Sequence, residues 1–515
     1  MGFSNPILSH DIWFTSRDHC GSFTPESFQL HYDRARSICR EIGIHHTYRI
    51  RFWAFHFDLI ATWNMTAFII ATIHLNLCIG ILGSFYMSRR DLSDLINDVL
   101  DFKACGEFML TEVGHGLDAR NLETTTTLLP SGCFDPRSPS EAVWKAMPPS
   151  TPLCGVPRVA VVFARLIVDG HDHGVKPFVV KLCDAQPMCR GITSRVLPVR
   201  PGTKPPDHTI TSFDHVLLPS TALLGSKSKA SDTPCDFLRQ IWRVSVGTLS
   251  LSIMGVSSIR VGSRIALSYS QRQLRRPIVK GFASYAVLPA FAKWTIEQFC
   301  KKTARGNVRQ ALATVFKATV IRETRVVDKL SEHWGWQGLF AYSQLELALT
   351  FQGNSIAEGD TQVLCIRVGS ELLGERYSLP EPMDPTSFLA QYEAGLFQEA
   401  RSELRNLGCY GNHRNEASNE RILPRLRKLI EGIGNRMAYE AARACGERVF
   451  FETLGGAYKA AFSYVLQFDN RGEEDDYITA PIQSDESWSN FLQALPYFRH
   501  ADAIASQKKK QADFN

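Results

Sequence analysis

The segment Val159-Ala160-Val161-Val162-Phe163-Ala164-Arg165-Leu166-Ile167-Val168 is followed by Asp169-Gly170, then by His173-Gly174 and Phe178-Val179-Val180-Lys181-Leu182. Branched and aromatic side chains suit a pleated strand, and Asp-Gly suits the positive backbone angles of a tight hairpin turn. The stretch therefore predicts two strands joined by a turn that opens with Asp-Gly. Around it, from Thr124 to about Leu224, proline and glycine are frequent and short apolar runs stand between turn signals. Ile210 to Leu218, closed by Pro219, reads as a further strand. This is a small β domain.

Outward from that centre the texture becomes helical on both sides. Upstream, residues 25 to about 105 repeat apolar residues at three and four, as in Phe28, Tyr32, Ala35 and Cys39, then Leu92, Leu95, Val99 and Leu100. Proline is absent from Gln29 to Leu129, which permits long helices. Beyond Asp236 the helical pattern returns, with Pro277, Pro289, Pro380, Pro382 and Pro385 expected at segment boundaries. The polar stretch from Pro380 to Asn419 reads as a linker. The predicted fold class is α+β and multi-domain. It has an N-terminal helical domain (1–107), a central small β-barrel or sandwich domain (108–235), a helical bundle (236–380) and a C-terminal helical region (381–515). An enzyme can use that order by clamping a flat cofactor between the β domain and a bundle.

Composition narrows the class of partner. A chain of 515 residues exceeds one ordinary core, while 44% hydrophobic and 21% charged residues are near globular averages. The net charge of +5 comes from scattered residues, and Lys508-Lys509-Lys510 reads as a solvated tail, so no nucleic-acid partner is expected. The thirteen cysteines show no zinc spacing, and Met1 to Arg17 is too polar for a secretory signal, which points to reduced thiols inside a cell. Between Asp58 and Arg89 no residue is charged, a length that could span a membrane. Asn64, Thr66, Thr72, His74, Asn76 and Ser84 interrupt it, and Gly80 and Gly83 weaken its far end, so a pair of buried core helices is expected and no membrane span.

Two motifs carry chemistry. The first, Phe108-Met109-Leu110-Thr111-Glu112-Val113-Gly114-His115-Gly116 with Leu122-Glu123-Thr124-Thr125 downstream, lies where the helices give way to the β domain. Gly114 and Gly116 let backbone N–H groups approach a ligand, and the Thr111 hydroxyl can bond a cofactor edge, although such a turn is also found in plain loops. The second, Ile356-Ala357-Glu358-Gly359-Asp360-Thr361, sets a carboxylate before a glycine in a helical region, either an exposed acid at a helix break or a solvated loop residue. Trp334 and Trp336 nearby could line an acyl pocket or be plain core.

Together, in this order on either side of a β domain, these motifs resemble those of acyl-CoA oxidases and dehydrogenases. That family carries a Thr-Glu-Leu-Gly-His-Gly segment, matched by Thr111, Glu112, Gly114, His115 and Gly116 with Val113 for Leu, and then Leu-Glu-Thr-Thr. It also has segments similar to Phe213-Asp214-His215-Val216-Leu217-Leu218-Pro219, Gly335-Trp336-Gln337-Gly338 and Glu358-Gly359-Asp360. The likeness runs from about residue 28 to beyond 460 and looks closest to fungal members, some of which serve secondary-metabolite pathways such as toxin synthesis.

The resemblance implies an FAD enzyme that converts an acyl-CoA to a trans-2-enoyl-CoA. Glu358 would be the base that takes the α proton, which calls for a raised pKa. Thr111 would meet the flavin, Gly114 and Gly116 would border flavin and thioester, and Arg272 (or Arg275 or Arg276) would meet the FAD diphosphate. His115 reads as shaping its turn. The implied electron acceptor is oxygen in an oxidase or an electron-transfer protein in a dehydrogenase. A carrier-protein thioester is an alternative substrate, and a thioester-binding relative without turnover an alternative role. A homodimer is implied, since FAD in the family contacts a neighbouring subunit. The family's role implies the peroxisome, with the cytoplasm as alternative, although Ala512-Asp513-Phe514-Asn515 is not the small-basic-leucine address.

Overall fold

A computed structural model describes residues 6–13, 24–43, 48–185, 187–198, 206–269, 276–301, 303–332, 336, 344–408 and 415–445. The chain divides into two compact units, Met1–Leu251 with Ile356–Asp360, and Ser252–Ser355 with the chain from Thr361 on.

The first unit begins with helix α1 (Pro25–Ile42). Thr24 caps it by accepting the Ser27 N–H, Pro25 opens it, and Gly43 at φ 58° ends it. Its buried stripe is Phe28, Tyr32, Ala35, Ile38 and Cys39, as the periodicity predicts. Helix α2 (Tyr48–Phe57) precedes the uncharged stretch, which opens with the short α3 (Ile60–Trp63), breaks at Asn64 and then forms one long helix. That helix runs as α4 (Met65–Thr72), a π-helical segment (Ile73–Ile79) and α5 (Gly80–Phe85). By length and composition Met65–Phe85 and Trp242–Ser268 could each cross a membrane, yet 78% of each apolar window is buried within the protein. Three polar side chains of the stretch each make a hydrogen bond, although His74 Nε2 and Asn76 Oδ1 are buried without one among the described residues. Asn64 caps α4 through the Ala67 N–H (2.8 Å), His74 Nδ1 accepts the Gly106 N–H (2.9 Å), and Asn76 donates to the Arg243 carbonyl (3.1 Å). Helix α6 (Ser93–Leu100) completes this helical part.

The strands are β1 (Cys105–Met109), β2 (Thr125–Leu128), β3 (Phe134–Arg137), β4 (Lys145–Pro149), β5 (Arg158–Val168), β6 (His171–Cys183), β7 (Ile192–Val196) and β8 (His208–Phe213). The main sheet is built on β5, which pairs in parallel with β1 and β2 and antiparallel with β6, while β3 adds to β2. A second, antiparallel sheet has the order β4-β8-β7. Among the described residues the strands form two sheets and no closed barrel. The β5–β6 turn is the predicted Asp169-Gly170, with φ of 50° and 79° at its two residues. Strand β5 is apolar without alternation because both its faces are covered. Val159, Val161 and Phe163 pack with Ile81, Leu82 and Val99. Ala160, Val162 and Ala164 pack with Phe134, Phe178 and Phe213. The strand expected over Ile210–Leu218 stops at Phe213, since His215 takes φ 51° and turns the chain before Leu218 bridges to Phe134. Helices α7 (Thr233–Gln240) and α8 (Trp242–Tyr269) follow, and the boundary between the units falls within α8.

The second unit is helical, with α9 (Arg276–Cys300), α10 (Gly306–Thr324), α11 (Val326–Glu332), α12 (Gln344–Asn354), α13 (Thr361–Leu373), α14 (Phe388–Asn406), α15 (Glu416–Arg421) and α16 (Leu423–Ala444). Helix α16 lies at its centre, against α9, α10, α13 and α14. Two expectations are corrected here. Pro289 lies inside α9, where buried Leu288, Ala290, Phe291 and Ala292 carry the packing through the residue. The stretch read as a linker contains α14, whose Ala390, Ala400 and Leu404 are buried. Its polarity is partly interior, since buried Arg436 of α16 pairs with Glu393 and donates to the Pro380 carbonyl (3.1 Å).

Candidate functional site

Strand β1 delivers the first motif. After Met109 the chain leaves the sheet, and the half-buried Thr111 accepts the Ala146 N–H at its carbonyl (2.9 Å). Glu112 turns inward and is 1% exposed. Its carboxylate accepts the backbone N–H groups of Glu123 (2.8 Å) and Thr124 (2.9 Å), the Thr124 hydroxyl, and the ammonium of fully buried Lys145 (3.0 Å). One side chain thus ties together the two halves of the motif, 111–116 and 122–125, and anchors both to β4. Burial works against the Glu112 charge, but Lys145, the Thr124 hydroxyl and the two N–H groups outweigh it and hold the carboxyl below its usual range. Burial lowers the Lys145 pKa to about 8, opposed by Glu112.

The two glycines of the loop differ. The Gly114 N–H donates to the Ala142 carbonyl (2.7 Å), and a Cβ on Gly114 would stand 3.1 Å from that oxygen. Gly116 is exposed, and a Cβ there would meet nothing within 4 Å. No described residue crowds position 116. His115 contacts Glu123 across the loop (Nε2 to Oε1, 3.0 Å).

The second motif forms the turn between α12 and α13. Its neck is closed by Thr361, whose N–H (2.9 Å) and hydroxyl (2.8 Å) both donate to the Ser355 carbonyl. The intervening Ile356–Asp360 groups with the first unit, the one that contains the Thr111 loop, although its flanking helices belong to the second. Glu358 has φ 55° and Gly359 φ 94°. The Glu358 carbonyl accepts the Thr248 hydroxyl of α8 (2.7 Å), and its carboxylate lies over Gly247.

Arg272 and Arg275 lie outside the described residues, as do the side chain of Arg276 and residues Trp334, Gly335, Gln337 and Gly338. Trp336 is 74% exposed and so is not core. Three participants escaped the sequence reading. Lys145 stands 33 residues from Glu112 with no local pattern to mark it. Gly247 and Thr248 sit inside an apolar helix, where a glycine was the only available signal.

The order of helices, sheets and helices makes the chain an α+β protein with the acyl-CoA oxidase fold. Its structure matches acyl-CoA oxidase3 from Yarrowia lipolytica with a TM-score of 0.74, at 18% identity, over 96% of this chain and 81% of that one. It matches acyl-CoA oxidase-1 of Caenorhabditis elegans, complexed with FAD and ATP, with a TM-score of 0.69, at 15% identity, over 96% and 83%. By sequence the chain is similar to curated acyl-CoA oxidases. It is 24% identical over 338 residues to the peroxisomal acyl-coenzyme A oxidase 3 of Arabidopsis thaliana, which covers 58% of this chain and 49% of the relative. The chain thus spans about half the length of that relative, and no family model matches it.

Proposed function

We propose that this protein is an FAD-dependent enzyme that removes hydrogen from the α and β carbons of an acyl-CoA, giving a trans-2-enoyl-CoA. One observation carries the reading: Ile356–Asp360 packs in the unit that holds the Thr111–Gly116 loop, with Glu358 in a left-handed conformation. A non-glycine residue adopts that backbone at a cost of about 1–3 kcal/mol, and such strain collects at functional sites. The kinship with acyl-CoA oxidases supports the same chemistry.

Glu358 takes the α proton of the thioester, a weak acid that a positioned carboxylate can remove with gains of about 10²–10⁴-fold. Thr111 would meet the flavin ring, Gly114 would shape the turn that borders it and Gly116 would let it come close, a fit supported by the open space at Gly116. Arg272 would meet the diphosphate. The flavin supplies the acceptor for the β hydride when bound. Oxygen is the proposed electron acceptor, as in the oxidases the chain resembles. A homodimer, a peroxisomal location and a role in fatty-acid or secondary-metabolite (toxin) chemistry complete the proposal.

The test is an absorption spectrum of the purified protein with FAD, recorded before and after anaerobic octanoyl-CoA. The expected result is flavin bands that bleach in the wild type and persist in Glu358→Gln. A protein that takes up no flavin, or a Glu358→Gln variant that bleaches at the wild-type rate, would overturn the reading.

A further inference from the structure

The backbone around Glu358 is held against its own preference. A left-handed φ of 55° at a glutamate needs support from outside the turn. The neck is closed locally by Thr361 on Ser355, but the tip carrying Glu358 extends three residues beyond it. There the Thr248 hydroxyl lies 2.7 Å from the Glu358 carbonyl and 2.9 Å from the carbonyl of Val244. A threonine inside a helix ordinarily donates to the carbonyl four residues back. Here one proton faces two acceptors, and the nearer belongs to the turn.

The adjacent residue completes the arrangement. A Cβ placed on Gly247 would lie 2.4 Å from Glu358 Cδ and 2.7 Å from each of its carboxylate oxygens. The carboxylate therefore rests directly on the helix backbone, in a space that any other residue at 247 would fill. Glycine weakens the interior of a helix by about 1 kcal/mol relative to alanine, so a glycine here runs against helix propensity and follows the seat it provides.

We propose that Thr248 is a positioning residue for Glu358 and that Gly247 is the seat of its carboxylate. Together they fix the 358–359 peptide and the direction of the side chain before substrate arrives. The inference rests on Glu358 being the base. A base displaced by about 1 Å can lose on the order of 10²-fold in rate, so the grip is worth far more to turnover than to folding.

The experiment compares Thr248→Val, which keeps the shape and removes the hydroxyl, with Thr248→Ser, which restores it. Each is loaded with FAD and assayed with octanoyl-CoA across pH. In Thr248→Val, kcat is expected to fall about 10- to 100-fold at unchanged KM, flavin content and Tm. The acid limb of its kcat–pH profile should move, because the Glu358 surroundings change. Thr248→Ser should recover most of the rate and the original profile. Gly247→Ala, which displaces the carboxylate, should lose more than Thr248→Val at unchanged flavin content. A Thr248→Val variant with wild-type kcat and pH profile would overturn the inference, as would Val and Ser variants equally slow with equally lowered Tm. Full turnover in Glu358→Gln would instead remove the underlying reading of the base, whatever the Thr248 variants do.

Discussion

The two loops that carry the proposed chemistry are held in opposite ways. The Thr111–Gly116 loop is fixed from beneath by a buried ion pair, Glu112 with Lys145, reinforced by two backbone N–H groups and a hydroxyl. The Glu358 turn is gripped at its carbonyl by a neutral hydroxyl and seated on bare helix backbone. A buried ion pair adds little net stability, because desolvation offsets the attraction, but it makes any other arrangement costly. That suits a platform for a cofactor. A neutral hydroxyl grips the turn without itself fixing the charge of the carboxylate, which suits a group proposed to gain and lose a proton. The difference separates an acid that builds the loop from an acid proposed to take the substrate proton.

The comparison breaks most directly on the two glutamates. Glu112→Ala leaves the Lys145 ammonium buried without its carboxylate, and a broken buried pair costs about 3–5 kcal/mol. Chemical denaturation should show that loss. Glu358→Gln, which keeps the side-chain shape in a half-buried turn, should cost much less unfolding free energy than Glu112→Ala while turnover is lost. Equal destabilisation by the two substitutions would erase the distinction.

How far the sequence revealed this division depends on the distance over which each signal acts. The strands at 159–168 and 178–182 were readable because β-branched runs and Asp-Gly act within a few residues, although the second begins earlier, at His171, than its sequence showed. The stripe Phe28, Tyr32, Ala35 and Cys39 was readable for the same reason. The turn at Glu358 could be marked as a helix break, since a glycine followed the acid. Its seat could not be found, because Gly247 and Glu358 are distant in sequence and only folding joins them. Lys145 was hidden likewise, and its full burial runs against the expectation for any lysine. Local rules failed where tertiary packing overrode them. Pro289 continues a helix that its neighbours bury, and Glu393 of α14 pairs with the buried Arg436.

Acid provides a second way to separate the loops, because β1, which leads into the Thr111 loop, leans on a neutral histidine. His74 accepts the Gly106 N–H, and burial pushes its pKa down to about 3 against 6.5 when exposed. A depressed histidine contributes stability that is present above its unfolded pKa and lost as pH falls toward the folded value. At pH 5 the loss is about 2 kcal/mol for His74, from roughly 1.5 pH units at 1.36 kcal/mol each. His56, lowered by burial to about 4, should lose a similar amount. Denaturation at pH 7 and pH 5 should reveal the slope, and His74→Gln should flatten the part that belongs to β1. A stability unchanged between the two pH values would mean that His74 titrates normally and that the strand does not depend on its neutral ring.

The smallest effect sharpens the comparison within the first loop. Gly114→Ala presses a methyl group to 3.1 Å from the Ala142 carbonyl and 3.2 Å from its Cβ. Overpacking of that kind costs on the order of 1 kcal/mol, visible as a lower unfolding midpoint whether or not flavin is present. Gly116→Ala places its methyl in open space, so the flavin-free protein should unfold as the wild type does, within about 0.5 kcal/mol. Its effect should emerge only on titration with FAD, as weaker binding, because the space it fills is the space the proposal gives to the ring. Gly114 would then serve the loop and Gly116 the ligand, though the two stand a residue apart in one motif. Wild-type FAD affinity in Gly116→Ala would assign both glycines to the loop alone and move the flavin contact to Thr111.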